Sequence, residues 1–112
     1  MLGTIIRSYL DQIEYAVRRK DVVSVNRRVA AFLANYFDIV FAVNRVLYPG
    51  EKRLVGFAQR ECRLLPTAMV TDVAAVLATG GTASQQLVVH LNRLLDRLDD
   101  LLTGVGLEPH TW

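Results

Sequence analysis

The run Val29-Ala30-Ala31-Phe32-Leu33-Ala34-Asn35-Tyr36-Phe37-Asp38-Ile39-Val40-Phe41-Ala42-Val43-Asn44-Arg45 decides the fold. Apolar residues recur along it at helical spacing, starting from Val22 and Val25 and passing through Val29, Phe32, Leu33, Tyr36, Phe37, Val40, Val43 and Leu47. After Val29 the stripe widens until the helix is apolar nearly all round, which marks its C-terminal half as the hub of a core. Asp21 stands in front of it as an N-cap carboxylate, and Pro49-Gly50 should end it near Tyr48. A helix of that span would be about 40 Å long. Interrupted by Asn35 and Asp38, the run falls short of the roughly 20 apolar residues that a membrane span requires.

The segments on either side repeat the helical period. Ile6, Tyr9, Leu10, Ile13, Ala16 and Val17 predict an amphipathic helix over about Thr4 to Lys20. A third helix is expected from Glu51 to Leu65, with Leu54, Val55, Ala58, Cys62 and Leu65 inward. A fourth should start at Pro66, turn Met69, Val70, Val73, Val76 and Leu77 inward and end at Gly80-Gly81. Thr82-Ala83-Ser84-Gln85 has the form of a capping box with Thr82 as N-cap, before the run Leu87, Leu91, Leu94, Leu95, Leu98, Leu101, Leu102 that Gly104 closes. No stretch alternates strictly between apolar and polar residues. The expectation is all-α: a single five-helix bundle with short connections spanning 1–112, its tail 105–112 ordered only if Leu107 or Trp112 docks.

Composition agrees with one globular domain. The chain has 112 residues, 52% of them hydrophobic and 21% charged, enough to bury a core and too apolar for a disordered tail. Charge is unevenly spread: up to Arg63 there are 11 basic and 6 acidic residues, a net +5, and beyond it 2 basic and 5 acidic, a net −3. The basic side suits an anion or an acidic partner but is too mild to call for nucleic acid. The single Cys62 excludes an internal disulfide, and His90 and His110 give no zinc-ligand spacing. With no basic segment leading into an apolar run at the start, these features indicate a cytoplasmic setting without a membrane segment.

Three features offer sites. Asn35, Asp38, Ala42 and Arg45 lie on one line of the hub helix. They form either a close-packing strip or a cleft in which Asp38 holds the Arg45 guanidinium and leaves donors for an anion. Tyr48-Pro49-Gly50-Glu51-Lys52-Arg53 places cations in a first helical turn, where free N–H groups already attract anions; this is either an anion site or solvated surface balanced by Glu51. Arg53, Gly56, Arg60 and Arg63 share one face, either solvated or docking an acidic partner. The cluster Arg18-Arg19-Lys20 is accounted for by helix capping. No serine–histidine–aspartate set, phosphate-binding loop or dinucleotide fingerprint is present, and Cys62 reads as a buried inert thiol.

The run Asn35 to Arg45, followed by Tyr48-Pro49-Gly50-Glu51-Lys52-Arg53-Leu54, resembles the helical C-terminal domain of bacterial nucleotidyltransferase-like proteins. There an apolar helix ending in Asn-Arg leads into a Pro-Gly-Glu-Lys-Arg turn. The looser match runs from Ile5 to the leucine-rich last helix. In such proteins a preceding domain holds metal and nucleoside triphosphate through a Gly-Ser pair and an Asp-x-Asp, and the helical domain closes over the acceptor side. This chain contains neither motif. The resemblance therefore implies a substrate-recognition or docking module that is not catalytic alone, with nucleoside triphosphate and Mg entering only through a catalytic partner domain. It points to Asn44, Arg45, Glu51, Lys52 and Arg53 as cleft-facing, supported by Asp38 and Tyr48, the latter standing where a histidine is expected. The alternative is a helical interaction or homodimerisation protein, suggested by a mean hydropathy of +0.25 in so small a chain.

Overall fold

In the computed structural model, residues 2–47 and 53–106 are described, with side chains from Ile5 onward. They form five helices and no strand: α1 Leu2–Arg18, α2 Val22–Val43, α3 Leu54–Glu61, α4 Met69–Thr79 and α5 Gln85–Gly104. The all-α five-helix bundle is thus observed. None of its helices is long and apolar enough to cross a membrane.

Two antiparallel hairpins make the frame. α1 packs along α2 and α4 along α5, while α1 also lies against α5. The Arg7 guanidinium donates to both oxygens of Asp99 at 3.0 and 2.8 Å, tying the start of α1 to the end of α5. The expected stripes fill the core: Ile6, Leu10, Ile13, Ala16 and Val17 of α1 meet Val25, Val29, Phe32, Tyr36, Phe37 and Val40 of α2 and the leucines of α5. Phe41 and Phe57 meet edge to face at a centroid distance of 5.6 Å, seating α3 on the end of α2. Asp21 caps α2 as expected, accepting from Ser24 N at 3.2 Å.

Helix ends depart from the sequence-based expectation, each for a local reason. α2 stops at Val43, five residues before Tyr48, so that it is about 33 Å long. The chain leaves through a Schellman motif: Val46 N donates to Phe41 O at 2.9 Å and Arg45 N to Ala42 O at 3.1 Å, with Arg45 in the left-handed region at φ 55°. Hydrogen bonding at the helix end therefore acts before Pro49 does. Leu47, expected on the buried stripe, is 89% exposed because the helical register no longer extends to it. α3 is shortened at both ends, starting after Arg53 and ending where Cys62 turns extended. Pro66 does not begin α4; its carbonyl accepts from Met69 N at 3.2 Å in a turn, and Ala68 precedes the helix at φ 57°. Ser84, not Thr82, caps α5, accepting from Leu87 N, whereas Thr82 Oγ1 donates to Thr79 O. In α4 the inward register differs from expectation: Val70 and Leu77 face outward, and Asp72 joins Met69, Val73 and Val76 in the core.

Candidate functional site

A cavity of about 260 Å³ opens where α2 and α3 end. Val43, Asn44, Arg45, Glu61, Arg63 and Leu64 line it. Asn44 builds its wall. As C-cap of α2, its side-chain Nδ2 donates to Val40 O at 2.8 Å and to Leu64 O at 2.7 Å, and its Oδ1 accepts from Leu64 N at 2.8 Å. One carboxamide thus satisfies a carbonyl at the helix end and both backbone groups of Leu64, fixing the segment after α3 against the end of α2. Arg63, which precedes Leu64, is thereby brought to the same cavity as Arg45.

Arg45 and Arg63 are both exposed, and neither has an ion pair among the described residues. Two arginines, Arg45 and Arg63, and one acidic residue, Glu61, line the cavity. The setting differs from the expected helix N-terminus, since α2 and α3 both direct their C-terminal ends here. Free carbonyls carry partial negative charge, so the two arginines first offset that field and only their surplus is left for a ligand. Planar, always-charged guanidiniums suit two-point contact with carboxylate or phosphate.

Of the expected cleft set, Asn44 and Arg45 line this cavity. Arg53 lies just before α3, exposed, in left-handed backbone at φ 56°. Tyr48, Glu51 and Lys52 lie outside the described residues. Asp38 is exposed and forms no ion pair with Arg45 among the described residues, because Arg45 has left the helical line for the Schellman turn. Ala42 is exposed too, so no helix covers that line either, and only Asn35 is half-buried on it. Arg63 and Glu61 are the wall residues that sequence reasoning missed. The helical spacing puts Arg63 on a stripe with Arg60, but Arg60 leans over the Phe57 ring at 5.9 Å while Arg63, beyond the helix end, lines the cavity.

Cys62 is buried, and desolvation, reinforced by the Glu61 charge, pushes its thiol above the usual range, in keeping with an inert group. No cluster of metal-ligating side chains occurs among the described residues. Comparison with protein families, with curated protein sequences and with solved structures finds no match to this chain.

Proposed function

We propose that this chain is a helical recognition module whose cleft between the ends of α2 and α3 takes an anionic group, and that it serves a nucleotidyltransferase system as the half that recognises and docks. The observation that carries the reading is that Arg45 and Arg63 line one cavity whose wall the Asn44 clamp builds. The segment Pro49-Gly50-Glu51-Lys52-Arg53 that follows Arg45 in sequence adds further cations next to it in the chain. In this role the arginines bind phosphate or an acidic surface, and catalysis, with its metal and nucleotide, belongs to a separate partner domain.

Titration calorimetry with ATP tests the reading. Arg45→Glu/Arg63→Glu and Lys52→Glu/Arg53→Glu should each weaken binding about tenfold or more, equivalent to about 1.4 kcal/mol. Unchanged affinity in both variants would sink the proposal.

One observation favours a second reading, homodimerisation. The outer face of α4, made of Val70, Thr71, Ala74, Leu77 and Ala78, is exposed and carries no charge. A two-fold contact sets a face against itself, and an uncharged one meets no like-charge repulsion there. A monomer in light scattering at high concentration would count against this reading.

A further inference from the structure

The hairpin that joins α1 to α2 ends in an exposed basic tip. Five cations, Arg18, Arg19, Lys20, Arg27 and Arg28, stand in the eleven positions from Arg18 to Arg28 with one carboxylate, Asp21. That carboxylate is occupied, accepting from Ser24 N and Oγ and from Arg19. Counting Glu14 as well, a turn back on α1, sets five cations against two acids and leaves the tip at +3. Lys20 and Arg27 are exposed and have no ion pair among the described residues. The α4–α5 connection runs beside α2 just past this tip, where a Cβ on Gly80 would meet Val29 Cγ1 at 3.8 Å. It brings no opposing charge, because the stretch 73–92 contains no Asp, Glu, Lys or Arg.

Among these cations the chain exposes apolar side chains. Val22 and Val23 open α2 and are 43% and 72% exposed, in a first turn that carries no acidic residue. A β-branched residue is one of the weaker helix formers, and a first turn favours Asp or Glu, so neither the helix nor the core calls for an exposed Val-Val pair here. Tyr15, three residues before the end of α1, is exposed as well, its ring centre 4.5 Å from the Arg19 guanidinium. Such an amphipathic ring suits a boundary between apolar and wet surroundings.

Cations around an apolar point match an anionic bilayer in order of depth, with charged headgroups at the surface and acyl chains beneath. Long Arg and Lys side chains keep their charge among the headgroups while the valines go deeper. A nucleic acid would use the cations and leave the valines idle. A protein partner buries about 800 Å² on each side, a wide contact for the tip of one hairpin. We propose that this end of the bundle docks reversibly on an anionic membrane surface, Val22 and Val23 entering the headgroup layer and Arg18, Arg19, Lys20 and Arg27 pairing with lipid phosphates. The contact is peripheral, as none of the helices is long and apolar enough to cross. It does not use the Arg45 cavity.

Cosedimentation of the full chain with vesicles tests it, one set made of phosphatidylcholine alone and one with roughly a third phosphatidylserine. The chain should pellet with the anionic vesicles, stay in solution with the neutral ones, and be released as salt rises from about 0.1 to about 0.5 M. Arg18→Gln/Arg27→Gln should weaken binding about tenfold or more, and Arg60→Gln/Arg93→Gln, the same loss of charge away from the tip, about threefold at most. Val22→Ser/Val23→Ser should weaken vesicle binding about threefold or more without altering retention on heparin, a polyanion with no apolar layer, and Val23→Trp should tighten it. Circular dichroism checks that each variant is folded. No binding to the anionic vesicles, equal binding to the neutral ones, an equal effect of the two arginine pairs, or indifference to the valines would overturn the proposal, the last leaving a polyanion such as a nucleic acid as the occupant. None of these outcomes bears on Arg45 and Arg63.

Discussion

Arg45 and Lys20 occupy the same position in two copies of one device. Each is the left-handed residue of a Schellman motif, at φ 55° and 59°, where glycine fits freely and a residue with a Cβ pays roughly 1–2 kcal/mol. At Lys20 the matching bonds run from Asp21 N to Ala16 O and from Lys20 N to Val17 O, both 3.0 Å. Lys20→Gly and Arg45→Gly should therefore each raise stability by about 0.5–1 kcal/mol in urea denaturation. The two should part company in ligand binding: Lys20→Gly leaves anion affinity at the Arg45 cavity unchanged, and Arg45→Gly lowers it. The neighbouring Asn44→Ala loses all three side-chain bonds and strands the Leu64 backbone, so it should cost about 1–3 kcal/mol in the same assay.

At the scale of the helix, the pair between α4 and α5 is the most consequential contact. Asp72 is 5% exposed and accepts from Arg97 Nη1 at 2.9 Å. Burial, reinforced by the Asp72 charge, raises the hydroxyl pKa of Tyr36 on α2 far above the ordinary value, while the Tyr36 hydroxyl itself has no hydrogen-bond partner among the described residues. Removing Arg97 leaves a carboxylate buried and uncompensated. Arg97→Met should cost about 3–5 kcal/mol in chemical denaturation, and Asp72→Leu added to it should recover much of that loss. The α2 cap carries a pH signature. Hydrogen bonds from Ser24 hold the Asp21 carboxyl below its usual value of 3.8, so its contribution is complete above that pH and is lost as pH falls through the lower folded value. Asp21→Asn, still able to cap, should flatten the acid limb of stability against pH.

The helices themselves were legible because the stripes of α1, the middle of α2 and α5 hold a strict period over many turns. Their ends were not. Where α2 stops depends on Asn44 finding Leu64, 20 residues away, and no local pattern encodes that bond. Asp72 left a fainter trace, sitting on the Met69, Val73, Val76 face where a charge needs a partner, but the partner Arg97 is 25 residues on. Likewise Arg45 was legible as a candidate from its position after an apolar helix, while the place of Arg63 in the cavity wall depended on the turn beyond α3 that the Asn44 clamp holds.

For the whole molecule, two surfaces of opposite character result from the same fold. Cations gather at both ends of α2, whereas α4 presents an outer face with no charge. If that face pairs with a second copy, Leu77→Lys, at a side chain 61% exposed, should shift the mass in light scattering from dimer to monomer with little change in melting temperature. A monomer in both proteins leaves α4 without that role and the recognition reading untouched. The account rests most heavily on the Arg45 and Arg63 cleft, and calorimetry of ATP binding to the unaltered chain and to Arg45→Glu/Arg63→Glu, with melting temperatures in parallel, tests it most directly. The prediction is saturable binding that weakens about tenfold or more in a variant that melts somewhat lower but is still folded at the assay temperature; equal affinity in the two proteins, or no binding to the unaltered chain, would contradict it.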